Sequence, residues 1–493
     1  MKRITGLMMV LSMAGYAYGQ AMFKQLKGEF DVGFKLVEEW DSTRIYGEGF
    51  RPMQVAIWYP SNESFYPEMT IEEMIRVGVR SETLVADEAH AYGEITGFKN
   101  SGHINKETAA EYLATTLEVG LEISPADGSF PVVLYAPGSS AHWYDNYLLC
   151  QLLASNGYVV ASVKSRSLKS PTMSINWIGV DSQVRDLEFA LTKVYGLMGQ
   201  RNIEGVNVIG RSWGAIAAVV FANENERITT SLVSLDGTLS YNAHLLFEDS
   251  PYPNADFVRK PLFLAVGKKR SESATPIDRK RYFEDVTYAD AYQAEYEHMP
   301  HTAFGSYYLH FHYLLNKGMD PETAEKLTNG YSHYTKHLLT FLDFYNKKST
   351  QPLSEVNTAD FSIEFREQEK APLPDYQDFG YEREVNGIAA AADLYYQTKA
   401  LDSAYAKTEL FNANFMNATA YQYLSKGRVD DAIMTLKVAL DAFPEDPNLH
   451  DSIGEMYFHK EDWKRSLLHY KRSLELNPSN ENASKMIERI NRN

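Results

Sequence analysis

Residues 210–214 read Gly210-Arg211-Ser212-Trp213-Gly214, a serine bracketed by glycines. They follow the apolar run VNVI and precede the small-residue stretch AIAAVVFA, so Ser212 is expected at a turn from a strand into a helix. Such a turn needs glycine at both flanks, because a Cβ there would strike the neighbouring strand or helix. It would hold the hydroxyl above the sheet edge, with a helix N-terminus behind it to favour developing negative charge. The chemistry this suits is nucleophilic attack. A serine hydroxyl then needs a base, and the base needs an orienting carboxylate, in the chain order Ser, acid, His.

Asp236 ends the run TTSLVSL and begins Asp-Gly-Thr, which places a carboxylate at a strand's C-terminal end. Glu272 and Asp278, after the next apolar run, are the rival acids. For the base, His301 in His-Met-Pro-His-Thr-Ala-Phe lies after the last apolar run and before a closing helix. His298 competes three residues earlier, and His310 and His312 lie further on. A tetrahedral intermediate also needs two backbone N–H donors. Trp213 would supply one. The loop Pro137-Gly138-Ser139-Ser140 would supply the other, from Ser139 or Ser140, with Gly138 allowing close approach.

The elements that must position these residues are legible as alternating patterns. Residues 30–37 and 53–59 alternate and are rich in aromatic and β-branched side chains, as antiparallel strands are. From residue 130 onward, short apolar runs at 131–136, 158–163, 206–209, 231–235 and 261–266 alternate with helical spacing at 145–156, 178–198 and 213–223. Buried strands separated by helices mean a mostly parallel sheet covered on both faces, an α/β fold. Residues 334–346 read as a closing helix, and 61–128 as a long insertion, a possible lid, with helix-like stretches at 70–77 and 106–120.

The segments APGSS, NVIGRSWG, SLDG and HTAF, with the entry strands GFRPMQVAIWYP, together resemble the α/β-hydrolase superfamily. Within it the likeness is to the branch of platelet-activating-factor acetylhydrolases and dienelactone-hydrolase-like esterases, and it extends over about residues 28–346. The resemblance implies a Ser–His–Asp esterase that forms an acyl-enzyme, with Asp236 as the acid and His301 as the base. Dienelactone hydrolases proper use cysteine where this chain has Ser212, and the residue before it is Arg211.

The chain has 493 residues and a formal net charge of −17, which provides no general footprint for nucleic acid or anionic lipid. Lys2 and Arg3 precede an uncharged apolar run at 4–14, and Ala17 and Gly19 are small residues two apart before Gln20. Residues 1–19 therefore read as a signal peptide, and the mature chain as exported to a periplasm or the exterior. No stretch has the roughly 20 apolar residues of a membrane span. Cys150 is the only cysteine and sits in an apolar helix pattern, where a buried hydrophobe is the expected role. His333 and His337 stand four apart without a zincin glutamate, so neither a metal nor another cofactor is expected.

A polar segment at 347–380 reads as a linker to an all-helical module at 381–493. Aligning 413–446 with 447–480 pairs Ala420 with Gly454, Tyr423 with Tyr457, Ala432 with Ser466 and Pro444 with Pro478. This period resembles tetratricopeptide repeats, with 381–412 as a preceding helix pair and 481–491 as a cap. The expectation is an exported hydrolase of small-molecule esters, with a repeat module able to hold a protein partner. The alternatives are a scaffold with an inactive hydrolase core, and a peptidase or acyltransferase on the same fold.

Overall fold

The computed structural model describes residues 25–492 apart from 64–68, 86–88, 90, 94, 96–105, 200–201, 241–254, 256–257, 269–280, 311–318, 347 and 370–372. The expected signal peptide, Glu272, Asp278 and His312 lie outside the described residues. The chain divides into two compact units, Met1–Lys370 and Ala371–Asn493.

In the first unit, β1 (Asp31–Tyr46) and β2 (Gly49–Ser61) form a hairpin. Helices α1 (Ile71–Gly78) and α2 (Lys106–Leu113) and the short β3 (Gly120–Leu121) follow within the insertion. Then come β4 (Phe130–Ala136), α3 (Tyr147–Ser155), β5 (Val159–Val163), α4 (Trp177–Met198), β6 (Ile203–Arg211), α5 (Gly214–Glu224) and β7 (Thr229–Leu235). β8 (Leu262–Gly267), α6 (Arg281–Asp285), β9 (Ala291–Tyr296), α7 (Ser306–Leu309), α8 (Pro321–Tyr345), β10 (Val356–Asn357) and β11 (Phe361–Arg366) complete it.

The strands form one sheet in the order β10-β11-β9-β8-β7-β6-β4-β5-β2-β1-β3. From β5 through β4, β6, β7 and β8 to β9, neighbours run parallel, while β2 against β5 and β11 against β9 are antiparallel. Alternation along β4 divides the core. Val133 and Tyr135 join the cluster that contains residues of α3 and α8, whereas Val132 and Leu134 join the one built from α4 and α5. Both faces are thus covered, which is why the central strands are apolar on both sides.

The structure departs from the sequence reading at three places. The closing helix begins at Pro321, not near 334, because Asp320 caps it by accepting from the Thr323 N–H and Pro321 suits the first turn. The expected linker at 347–380 contains β10 and β11, and β11 pairs with β9 from Phe361↔Tyr296 to Arg366↔Ala291. Its alternation, FSIEFR, sets Phe361, Ile363 and Phe365 on one face and Ser362, Glu364 and Arg366 on the other, as in a strand with one polar face. The insertion is not simply a lid. Ile71, Met74, Ile75, Tyr112 and Leu113 are buried in the main core, because their apolar faces lie on the sheet side of α1 and α2.

The second unit is helical: α9 (Tyr376–Val385), α10 (Ile388–Leu401), α11 (Ser403–Glu409), α12 (Ala413–Ser425), α13 (Val429–Ala442), α14 (Pro447–His459), α15 (Trp463–Leu476) and α16 (Glu481–Arg492). The pair α12–α13 recurs as α14–α15 at the same spacing in the chain. Small residues let the paired helices approach: the Ser466 hydroxyl donates to the Gly454 carbonyl at 2.8 Å, and the Ser473 hydroxyl to the Pro447 carbonyl at 2.7 Å.

Candidate active site

Ser212 occupies the turn between β6 and α5 with φ +52°, a left-handed conformation that costs a non-glycine residue about 1–3 kcal/mol. The surroundings enforce it. The Ser212 N–H donates to the Leu235 carbonyl at 3.1 Å, and its carbonyl accepts from Thr238 at 3.0 Å. A Cβ on Gly210 would lie 2.3 Å from the Gly214 carbonyl oxygen, and one on Gly214 would lie 2.1 Å from that of Ala136. Both glycines are therefore steric requirements.

Asp236 follows β7, also with positive φ (+41°), and is fully buried. Its N–H donates to the Ala265 carbonyl at 2.6 Å, and its Oδ1 accepts the Gly267 N–H at 2.9 Å. Oδ2 lies 2.5 Å from His301 Nδ1, and His301 Nε2 lies 3.0 Å from Ser212 Oγ. The carboxylate favours the imidazole proton on Nδ1, which leaves the Nε2 lone pair facing the serine hydroxyl. Three residues distant in sequence are so brought into one hydrogen-bonded line. His298 is half-buried, and it is His301 that stands in line with Asp236 and Ser212. His310 is a different kind of histidine, buried and stacked 5.2 Å from Tyr112. Burial, partly offset by its bond to the Ser306 carbonyl, pulls its pKa down to about 4.

The segment carrying His301 is fastened by residues that sequence reasoning missed. Asn146, at the start of α3, donates to the Phe304 carbonyl at 3.0 Å and accepts from the Ser306 N–H at 2.9 Å and the Tyr331 hydroxyl at 2.7 Å. The Tyr307 N–H donates to the Asp145 carbonyl at 3.2 Å. The Asp145 side chain accepts from Arg211 Nε at 2.6 Å and from the Tyr135 hydroxyl at 2.9 Å. Burial disfavours the Arg211 charge, but Asp145 outweighs it and raises the guanidinium pKa above its ordinary value. One buried network thus ties the residue before the nucleophile to the loop of the base. A shared sequence signal was lacking because Asp145 and Arg211 lie on separate elements.

Of the expected oxyanion donors, the Trp213 and Ser139 N–H groups have no acceptor among the described residues. Ser139 is exposed, and the Trp213 side chain is buried. Ser140 adopts φ +59°, and its hydroxyl accepts from the Met173 N–H at 2.9 Å, so that side chain shapes the loop. Gly138 is buried beside the nucleophile, where a Cβ would lie 3.2 Å from Ser212 Cβ.

The other candidates are structural. Cys150 is buried, which pushes its thiol well above the ordinary range. His337 packs against Phe361 and lies 2.9 Å from the Tyr296 hydroxyl; its pKa falls to about 4 through burial. Among the described residues no cluster of three or more His, Cys, Asp or Glu could hold a metal, and no helix is long and apolar enough to cross a membrane.

The sheet order of the first unit, with a serine turn after β6 and an acid after β7, is an α/β-hydrolase-type fold, and the second unit is all-helical. No family model matches the chain, and no curated protein matches it. Among solved structures it is similar to a ferulic acid esterase from Streptomyces cinnamoneus, at 18% identity and a TM-score of 0.47, over 69% of this chain and 97% of that one.

Proposed function

We propose that the chain is a serine hydrolase of carboxylic esters, working through Ser212, His301 and Asp236. The observation that carries this reading is the line from Asp236 Oδ2 through His301 to Ser212 Oγ, at 2.5 and 3.0 Å, on a serine held at φ +52°. His301 Nε2 takes the Ser212 proton as Oγ attacks the ester carbonyl, and Asp236 stabilises the imidazolium that forms. The N–H groups of Trp213 and of Ser139 or Ser140 receive the oxyanion. Imidazolium then protonates the leaving alkoxide, and a water activated by the same base hydrolyses the acyl-enzyme. The test is labelling of the intact protein by a fluorophosphonate probe, alongside hydrolysis of p-nitrophenyl acetate. Labelling lost in Ser212→Ala supports the reading, and a wild type that stays unlabelled at Ser212 overturns it.

A second role rests on the helical unit, whose α12–α13 and α14–α15 pairs recur at one spacing. Such repeats stack into surfaces that hold other proteins, so this module, read as tetratricopeptide-like, localises the hydrolase to a protein partner. The basic and apolar N-terminus supports export of the whole. N-terminal sequencing of the secreted protein tests that part: a mature start near Gln20 is expected.

A further inference from the structure

Arg211 is 5% exposed, yet only part of its hydrogen-bonding capacity is used inside the protein. Nε donates to Asp145 Oδ2, while no acceptor among the described residues takes a hydrogen from Nη1 or Nη2. An arginine present only to pair with a carboxylate commonly engages both oxygens. Here Asp145 Oδ1 is itself buried without a partner. The outer end of the guanidinium reaches toward the oxyanion loop. A Cβ built on Gly138 would meet Arg211 Nη2 at 3.0 Å, Arg211 Cζ at 3.4 Å and Ser212 Cβ at 3.2 Å. One point in space therefore borders the guanidinium and the nucleophile together, and residue 138 sends no side chain into it, where even a methyl group would be tight. The Tyr308 ring, 5.2 Å from Cζ, lies against the guanidinium.

We propose that Arg211 binds a carboxylate carried by the substrate close to the scissile carbonyl, so that the site selects acidic esters over neutral ones. This rests on the reading of Ser212 as an ester nucleophile. The Nη1–Nη2 edge offers two parallel N–H donors, the geometry that matches the two oxygens of a carboxylate. The chain carries a net charge of −17, so an anionic substrate needs a local cation to be held, and Arg211 adjoins the nucleophile in sequence. Asp145 offsets part of that charge and fixes the guanidinium's orientation, which leaves a directional donor pair in place of a diffuse positive field.

The experiment compares mono-p-nitrophenyl fumarate with its methyl ester on the full chain, the trans double bond keeping the free carboxylate from attacking its own ester. The wild type is expected to favour the acid by at least about 10-fold in kcat/KM, the size of a charge-assisted hydrogen bond. Equal rates, or a preference for the neutral ester, overturn the proposal. Arg211→Lys keeps a cation for Asp145 but lacks the fork, and its acid-to-neutral ratio should fall to about 1 whatever happens to the separate rates. A ratio preserved in that variant would show that Arg211 is a strut only, and would also overturn the proposal. If the variant does not fold, the wild-type ratio still decides. Fluorophosphonate labelling separates the two levels. Ser212 labelled without acid preference sinks this inference alone, whereas Ser212 unlabelled sinks the hydrolase reading beneath it.

Discussion

The two units of the chain use backbone strain and small residues in different ways. In the α/β unit, five described non-glycine residues adopt positive φ: Ser140, Ser212 and Asp236 sit around the candidate site, and Leu84 and Glu122 lie in the insertion. In the helical unit, Glu461 alone among the described non-glycine residues does so, in the turn between α14 and α15. Glycines follow the same division. Gly138, Gly210 and Gly214 clear space around a nucleophile, whereas Gly454 clears space for the Tyr470 ring. The first unit holds reactive groups in place across long sequence separations; the second stacks neighbouring helices. Three of the five such positions in the first unit gather at the candidate site, whereas the one in the second marks a helix turn.

The largest expected effect tests the chemical half of that contrast. Ser212→Ala should lower ester hydrolysis by at least about 10³-fold with little change in thermal stability, measured with p-nitrophenyl acetate and calorimetry. Retained activity would mean that the strained turn serves the fold alone. The buried network is the next level. Asn146→Ala removes partners of Phe304, Ser306 and Tyr331 at once, and should destabilise the first unit by about 3 kcal/mol in urea. Because the same bonds hold the loop of His301, kcat should fall by about 10-fold in the folded fraction. Loss of stability with kcat unchanged would show that the loop keeps its geometry without Asn146.

What was legible in the sequence follows the same division between local and distant. The serine turn was readable because its whole cause, strand, glycines and small-residue helix, lies within one continuous stretch. The helical pairs were readable because contacts between consecutive helices repeat in the chain. Two strands near one end of the sheet were not: β9 and β11 carry Glu295 and Glu364 within their alternation, and pairing across 65–75 residues, Ile363 with Ala294 among the pairs, decides that they are strands. Asp145, Asn146 and Arg211 were silent for a related reason. Their roles depend on which buried groups meet after folding, and no periodicity or spacing encodes a single buried hydrogen bond.

Titration sharpens the comparison further. His310 in the first unit has a folded pKa of about 4, lowered by burial from 6.5. Above pH 6.5 the imidazole is neutral in both states, so its site is stable there. As pH falls toward 4 the unfolded chain gains a proton that the folded chain refuses, and stability drops by up to about 3 kcal/mol. His469 in the helical unit is lowered to about 4 as well, first by burial and then by His450 and Lys437. Being partly exposed, it should contribute less. Urea melts between pH 7 and 4.5 should show His310→Phe flattening the slope of the first unit's transition. An unchanged slope would mean that His310 accepts a proton within the fold.

The smallest effects come from one substitution made twice in the helical unit. Alanine in place of glycine inside a helix gains about 1 kcal/mol of helix propensity wherever the new methyl fits. At Gly380, in α9, a Cβ would meet nothing within 4 Å, so Gly380→Ala should stabilise by about 0.5–1 kcal/mol. At Gly454, in α14, the Cβ would lie 3.2 Å from three ring carbons of Tyr470, a residue with no exposed surface. Overpacking of that kind costs about 1–3 kcal/mol, which outweighs the propensity gain, and Gly454→Ala should be destabilising by about 1 kcal/mol net. Opposite shifts in melting temperature, with ester hydrolysis unchanged in both variants, are the expected result. Two shifts of the same sign would show either that Tyr470 yields without cost or that α9 is not a helix in solution, and a fall in hydrolysis would show that the units are energetically coupled.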